Sequence, residues 1–582
     1  MLSSLLDIVK LCGRQNLALR GSDDYGQVDQ LECFETDTNE GNFRAIVRFR
    51  VVSGDKVLKD QLENGPRNAT YCSWRIQNEL ISLCGETIRE TIVADVNKSG
   101  FFSVLADETA DVGLTEQLSL CVRYVKGTHE TGYQLREDFL GFVPVQNLSG
   151  ESLAAKIIDS LSEWGLNLAG LRGQGYDGAS NMAGRFKGVQ ARILTQFPKA
   201  FYTHCSSHCL NLVLSSASSV TTVRRLIKNI SEVVDFFRSS PKRQAVLTRA
   251  ISVLAPESKR QKLKSVCETR WCDRHDAVMV FVELLSPVLH ALEELENSGD
   301  LTTETKAENF RLRIRSLEFL AVLKITESIL GITFNLSKNL QAKQCDLIKC
   351  ADMIQDIKTD IHMRIKQVHG HFSRLFVGIQ ELADSHSVEV SLSSVTRRAN
   401  PDWVPEDYYR EKVYLPFLES LDSQLKERFS ETFKKAVRAS CLIPFYLDEA
   451  KDSQVDELLE IYKDDLDYVA IVKSELSLWR LKWEKIQDKP ATAIDTLPQA
   501  DPMFFPNIQQ LLKLVATLPV STASAERSFS CLRRLKTYLR STTEERLNGL
   551  ALLNMHRDIK LSNEELIEKF VVTKARKLNL IL

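Results

Sequence analysis

The chain reads as an α/β domain interrupted by a large all-α insertion and completed by a helical C-terminal segment. Three observations predict this. Strand-like alternation is confined to residues 101–205. Helical periodicity runs almost without relief from about residue 222 to 500. Three separated segments, each with a recognisable motif, carry the carboxylates Asp107, Asp177 and Glu526, the last far downstream of the strands. A helical block lying between strands and a residue that completes their site is an insertion into one domain, not a domain in series.

Residues 1–40 are mixed and polar and are expected to be loosely ordered at the start. Helical patterns follow over 42–63 and 73–97, the second with Ile76, Leu80, Ile81, Leu83, Ile88 and Ile92 on one side. Residues 101–106 form a first strand. Residues 117–125, with Leu118, Leu120, Val122 and Tyr124 alternating, form a second, and 137–145 a third. Residues 150–164 are a helix capped by Ser149 or Ser152. A strand over 171–176, a helix over 179–197, a strand over 201–205 and a helix over 208–218 complete the order β-β-β-α-β-α-β-α. Beyond it, 310–340 and 408–433 are long amphipathic stretches, and the Ser-rich, charged 383–405 is a solvated loop. A Pro-containing connection over 497–506 leads to the last helices. The expected divisions are 1–98 (N-terminal helical region), 99–220 (first part of the core), 221–500 (helical insertion), 501–562 (C-terminal region completing the core) and 563–582 (tail).

Among 582 residues, 43% are hydrophobic, enough for a large core. The 13 cysteines include no C-x-x-C pair. No secretory leader is read in the first eleven residues, which contain Asp7 and Lys10, so the thiols are expected to be reduced in an intracellular protein. No uncharged apolar run spans a membrane; the best, 319–336, is broken by Lys324 and Glu327. A net charge of −2 excludes a surface that grips DNA everywhere, so any DNA contact is local.

Asp107 and Asp177 stand at the carboxyl ends of predicted strands, where open α/β sheets place ligands. Neighbouring strands lie ~4.8 Å apart and paired catalytic metals ~3.5–4 Å apart, so acids on adjacent strands can share cations. Gly175 and Gly178 flank Asp177 and leave room for turns and a closely approaching substrate. Against this, a single Asp after a strand is ordinarily an N-cap or turn residue, and Glu108 and Asp111 are alternatives to Asp107. Residues 519–522 start a helix in which Phe529, Leu532, Leu535 and Leu539 form a buried seam, with Arg527, Arg533, Arg534, Lys536 and Arg540 on the other side. Glu526 in its first turn is by composition only a favourable dipole charge.

His204, Cys205, His208 and Cys209, with Cys267, Cys272 and His275, can be read as zinc ligands or as packing under the strands. No standard ligand spacing decides it, and Cys205 and His208 stay open. Most basic runs are solvated helix faces; the 259–264 run, with Lys262 and Lys264, is the best candidate for phosphate contact. Near the end, Ser541-x-x-Glu544 or Thr542-x-x-Glu545 is a capping box. The next helix carries Leu547, Leu550, Ala551, Leu553 and Met555 over more of its surface than one packing face needs, which predicts burial on the core, a second subunit, or both.

Taken together, Asp107, the run from Tyr176 to Met182, the run from His204 to Asn211, Thr269-Arg270-Trp271 and the run from Ser524 to Ser530 occur in an order that resembles the hAT family of DNA transposases and its domesticated derivatives, over roughly residues 20–560. The resemblance implies an RNase H-like mixed sheet interrupted by the helical insertion, and a C-terminal dimerisation region for which Phe529, Leu532, Leu547 and Leu550 are the candidate contacts. It also implies an Asp-Asp-Glu triad matched by Asp107, Asp177 and Glu526, holding Mg²⁺ or Mn²⁺ in a transposase or nuclease if the chain is active. In the same terms Trp271 stacks on an unpaired base, a contact worth ~1–3 kcal/mol, with Arg270, Lys262 and Lys264 on DNA beside it; a core Trp at a helix start is the other reading. The implied partners are DNA, a second copy of the chain, and chromatin or host proteins, with no membrane, in the nucleus. Family members usually carry an N-terminal zinc-binding DNA reader, and Cys12, Cys33, Cys72 and Cys84 are too scattered to form one. A catalytically silent scaffold that dimerises and binds protein or chromatin is the alternative.

Overall fold

The computed structural model describes residues 1–573 except 26–27, 29–30, 32–36, 67–69, 219, 266–270, 343–344 and 538–542; for 271–274, 395, 399, 431–433, 437 and 573 only the backbone is described. Two compact units emerge, one built from Met1–Cys205 with Arg438–Leu582 and the other from Ser206–Val437.

The first unit opens with α1 (Leu2–Gln15), α2 (Gly41–Val52), α3 (Lys56–Asn64) and α4 (Trp74–Ser99). The start of the chain is ordered, contrary to expectation. Leu5, Leu6, Ile8, Val9 and Cys12 of α1 are buried at helical spacing, and the polar residues after Gln15 had masked that stripe. The sheet follows with β1 (Phe102–Ala110), β2 (Glu116–Thr128) and β3 (Gly132–Val145), then α5 (Gly150–Glu163), β4 (Leu171–Tyr176), α6 (Ser180–Ala183), α7 (Val189–Gln196) and β5 (Phe201–His204). Ser149, not Ser152, caps α5 by accepting from the Ser152 amide at 3.3 Å. The single helix expected over 179–197 is two, separated by a turn between Gly184 and Gly188.

In the sheet the strand order is β3-β2-β1-β4-β5. β1, β2 and β3 form an antiparallel meander, and β4 runs parallel to both β1 and β5. β1 runs on to Ala110 because it stays paired with β2 as far as Glu116. Asp107 therefore lies within β1 rather than after it. The parallel ladder with β4 ends at Leu105–Gly175, so Asp107 and Asp177 both emerge at its carboxyl edge.

The second unit is helical: α8 (Ser206–Ala217), α9 (Thr221–Arg238), α10 (Pro241–Leu254), α11 (Trp271–Glu283), α12 (Leu285–Leu295), α13 (Leu301–Ile314), α14 (Leu317–Leu340), α15 (Leu347–Lys366), α16 (Val368–Ser385), α17 (Ser394–Ala399), α18 (Pro405–Tyr409), α19 (Leu415–Arg428) and α20 (Ser430–Ser440), which crosses the boundary. The amphipathic stretches over 310–340 and 408–433 are not single helices: the first breaks between α13 and α14, and the second contains a π turn at Arg410–Tyr414 and breaks between α19 and α20. The break expected over 383–405 contains α17.

The chain then returns to the sheet unit with α21 (Asp452–Tyr462), α22 (Val472–Glu484), α23 (Ala493–Thr496), α24 (Pro506–Thr517), α25 (Ala523–Leu535), α26 (Glu544–Met555) and α27 (Asn563–Thr573). The insertion was expected over 221–500, but residues from 438 onward belong with the sheet. Trp479 of α22, for example, is fully buried and packs edge-on against Phe505 before α24. The α26 stripe is used within the chain: Leu547, Leu550, Ala551, Leu552 and Leu553 are buried against α4, α1, α25 and β3. Gly85 and Gly549 permit that approach, since a Cβ on Gly85 would lie 2.6 Å from the Gly549 Cα. The capping box expected at Ser541 or Thr542 lies outside the described residues.

Candidate active site

One face of the sheet is shaped by two glycines. Gly173 and Gly175 alternate along β4, so neither presents a side chain to the segment linking α24 to α25. A Cβ on Gly173 would stand 2.7 Å from Pro519 Cδ, and one on Gly175 would stand 3.0 Å from Pro519 Cβ. Glycine within a strand marks such close approach. Hydrogen bonds then hold the segment down. Ser103 Oγ donates to the Thr517 carbonyl at 2.7 Å, and the Thr522 amide donates to Cys205 Sγ at 3.2 Å. Ser528 Oγ bonds Ser119 Oγ at 2.7 Å, and Ser119 is the cross-strand partner of Asp107. Glu526, two residues before Ser528, is thereby carried to the Asp107 end of β1.

Beside this clasp lies a buried charge pair. Arg123 and Glu137 meet at 2.7 Å with side chains 1% and 3% exposed. The Arg123 Nε also donates to the Ala516 carbonyl at 3.2 Å, and Ser524 Oγ donates to Glu137.

Two of the predicted acids act on the third, Asp107. Asp107 is half-buried, and its carboxyl is pushed well above the usual aspartate range. Burial is the largest cause, followed by the charges of Glu526 and then Asp177, while the Glu108 amide at 3.0 Å pulls the other way. Asp177 Oδ1 accepts from the Ala179 amide at 3.1 Å, and its carbonyl accepts from the Tyr202 hydroxyl at 2.9 Å. Among the described residues, no three His, Cys, Asp or Glu side chains are gathered closely enough to hold a metal ion.

The alternatives to Asp107 are engaged elsewhere. Asp111 is tied to Lys536 and accepts from the Gly113 amide at 2.7 Å. Glu108 accepts from Asn181 Nδ2 at 3.0 Å and is raised by burial and by Asp177. The room expected beside Asp177 is filled by protein. Leu105 and Pro519 occupy the space at Gly175, and the His204 ring lies 2.5 Å from where a Gly178 Cβ would be.

Of the residues expected on DNA, Lys262 is exposed and Lys264 is paired with Asp276 at 2.9 Å. Arg270 and the Trp271 side chain lie outside the described residues. His275 stacks on Phe334 at 4.2 Å, and Cys205 and Cys209 are buried; the side chains of Cys267 and Cys272 lie outside the described residues. The four side chains expected at a subunit interface, Phe529, Leu532, Leu547 and Leu550, are buried in their own chain. Sequence reasoning missed the Ser119–Ser528 clasp and the role of Gly173; the alternating glycines of β4 were the available signal.

Known proteins share this arrangement of segments. Residues 1–188 match the family described as ZMYM1/FAM200, RNase-like domain. Residues 498–559, covering α24, α25 and α26, match the hAT family C-terminal dimerisation region. The 52 kDa repressor of the inhibitor of the protein kinase from Homo sapiens is 31% identical over 589 residues, covering 98% of this chain and 76% of that protein. The protein of the same name from Mus musculus is 31% identical over 593 residues, with the same coverage. The chain belongs to the hAT transposase-derived family. Asp107 and Asp177 fall within the first matched segment, and Glu526 falls within the second. Among the described residues no helix is long and apolar enough to cross a membrane.

Proposed function

We propose that this is a nuclear, self-associating protein of hAT descent whose Asp107, Asp177 and Glu526 form a site for phosphoryl transfer on DNA. The observation that carries the proposal is the effect of Glu526 and Asp177 on Asp107: acids from β1, the end of β4 and α25 share one electrostatic environment. Strongly raised carboxyls with specific charged neighbours cluster at functional sites. The strand order with its antiparallel meander and two parallel strands supports an RNase H-like core.

An all-oxygen carboxylate donor set suits Mg²⁺ or Mn²⁺. Such paired ions, when bound, activate the attacking oxygen and stabilise the leaving one in an in-line displacement. The chain's own part is positional. The parallel strands hold Asp107 and Asp177, the Pro519 turn and the Ser119–Ser528 bond hold α25, and burial with the charges of Glu526 and Asp177 raises the affinity of Asp107 for positive charge. The surroundings thus favour a cation over three separate anions. Exposed Lys262, and Trp271 with Arg270, are proposed DNA contacts. The repressor named among the relatives supports a nuclear role and chromatin or host partners.

Incubating the purified chain and its Asp177→Asn variant with Mn²⁺ and labelled duplex tests the reading. Mn²⁺-dependent nicking abolished by the substitution supports it, and no nicking by either protein refutes catalysis. The second reading is a silent scaffold acting by self-association and protein or chromatin binding, and the observation that favours it is the match of residues 498–559 to a dimerisation region.

A further inference from the structure

Between α4, β3, the end of α5 and the start of α26 the sheet unit holds a cleft of about 270 Å³. Four acids and one base line it: Glu86, Glu163, Glu544 and Glu545 against Arg89. Arg89 is engaged with the protein itself. Its Nε donates to the Leu140 carbonyl at 2.9 Å, and its guanidinium lies 4.6 Å over the Trp164 ring. Glu544 accepts from Gln117 at 3.0 Å and Glu86 from Ser82 at 3.1 Å. Glu163 and Glu545 have no hydrogen bond or ion pair among the described residues.

That is unusual for this unit. On α21 the exposed acids are answered: Asp452 by Arg480 at 2.9 Å, Asp456 by Lys473 at 2.9 Å and Glu457 by Arg438 at 2.6 Å. Glu163 is moreover the last residue of α5, where the helix dipole disfavours an acid. A second observation points the same way. Ser160, 7% exposed, also lines the cleft, and its hydroxyl has no partner among the described residues. Buried polar groups are ordinarily hydrogen-bonded.

The lining decides what fits. Four carboxylates repel phosphates, and among the described residues no three acids stand close enough to hold a metal ion. The volume falls below the ~300 Å³ at which sites for small molecules begin, yet it admits one long side chain. Nor can a partner pair with the sheet here. β3 is an edge strand, but Asn548 takes both the amide and the carbonyl of Phe142, at 2.7 and 2.9 Å, Arg89 takes the Leu140 carbonyl, and Pro144 has no N–H to offer. Recognition must run through a side chain. A lysine or arginine meets every demand, because its stem is apolar and its head is charged.

We infer that this cleft docks a basic segment of a protein partner. One lysine or arginine enters with its stem against Trp164 and Pro144, its charge is answered by Glu163 and Glu545, and Ser160 accepts a hydrogen bond from its head. The inference goes beyond the reading of the Asp107 site and needs neither DNA nor a metal, so either can fail without the other.

The full chain is titrated with a fluorescein-labelled peptide of lysine and arginine alternating with serine, and with the same peptide carrying glutamine at every basic position. Binding of the basic peptide alone is expected. Glu163→Gln and Glu545→Gln are each expected to weaken it about 2- to 5-fold, and the double variant about 4- to 25-fold. Ser160→Leu, which fills the cleft and removes no charge, is expected to weaken it about 10-fold or more. Glu457→Gln on α21 is expected to leave it unchanged. Urea midpoints confirm the fold of each variant; should Ser160→Leu not fold, the charge variants decide alone. Equal binding of both peptides, wild-type affinity in the double variant or in a folded Ser160→Leu, or an equal loss in Glu457→Gln overturns the inference. So does an effect of Glu163→Gln on self-association by light scattering without one on the peptide, which would give the cleft to a second copy. Tighter peptide binding after deletion of residues 574–582, which carry Lys574, Arg576 and Lys577, would make the chain's own end the occupant and overturn it too.

Discussion

Gly173→Ala tests how Glu526 is brought to Asp107. The added Cβ would lie 2.3 Å from Ser103 Oγ, 3.1 Å from Ser103 Cβ and 2.7 Å from Pro519 Cδ. The hydroxyl can rotate away, but it then gives up its buried 2.7 Å bond to the Thr517 carbonyl, a loss of about 1 kcal/mol. Pro519 Cδ belongs to a ring fixed to the backbone and cannot rotate, so the turn itself must lift. Overpacking of this kind costs about 1–3 kcal/mol, and the reduced freedom of the unfolded chain returns about 0.4–1 kcal/mol. The net expectation is destabilisation by about 1–3 kcal/mol, read as a lower urea midpoint at neutral pH. Lifting the turn also draws α25 away from β1, so Glu526 recedes from Asp107 and any Mn²⁺-dependent nicking falls more steeply than stability does. A Gly173→Ala protein with wild-type midpoint and wild-type nicking would refute the claim that the Pro519 contact seats Glu526.

Asp107→Asn is expected to stabilise the metal-free protein at neutral pH. Because its folded carboxyl is raised, the charged form opposes folding; this penalty is absent below about pH 3.9, the ordinary aspartate value, grows as pH rises towards the folded value and is complete above it. Urea midpoints of variant and wild type should therefore nearly coincide at pH 3.5 and separate at pH 7.5, and an Asn variant less stable at pH 7.5 contradicts this. Arg123→Leu should cost about 3–5 kcal/mol by leaving Glu137 buried without its cation, and a double Arg123→Leu/Glu137→Leu variant should recover part of that loss in the same denaturation assay. Gly331→Ala, in the interior of α14 with nothing within 4 Å of its Cβ position, should raise stability by about 0.5–1 kcal/mol. Leu550→Ala should cost about 2–5 kcal/mol of stability, read as a lower urea midpoint; a variant that falls apart into monomers by light scattering with its midpoint unchanged would place Leu550 at a subunit interface instead.

The strands were legible because their signal is local. Leu118, Leu120, Val122 and Tyr124 alternate in β2, and β4 spans the six residues expected. Pairing carries β1 beyond its apolar run, however, so its own residues could not show that Asp107 lies inside the strand. Glu526 was singled out by family resemblance alone. Its place depends on Pro519 meeting Gly173 and Gly175 more than 300 positions away in the sequence, and no helical period encodes that. Helical periodicity gives each helix an apolar face without saying on which unit that face packs, so the helical run alone could not show that residues from 438 onward belong with the sheet. The first helix was lost to the polar stretch after it. The split of α6 from α7 could have been foreseen, because Gly184 and Gly188 lie four apart in an otherwise helical run, where each glycine weakens the helix.

The matched dimerisation region has two demands on it that the structure separates. Its apolar side chains are already spent: Phe529 and Leu532 pack α25 on the sheet, and Leu547 and Leu550 seat α26 on α4 through the Gly85–Gly549 approach. Exposing those residues to a second copy would mean removing α26 from α4 and, with α25, carrying Glu526 away from Asp107. Self-association through them would thus dismantle the acidic site, whereas self-association through the exposed faces of the same helices, where Arg533 and Arg534 stand, leaves it whole. A dimer that leaves Glu526 beside Asp107 must therefore form through surfaces other than these buried side chains.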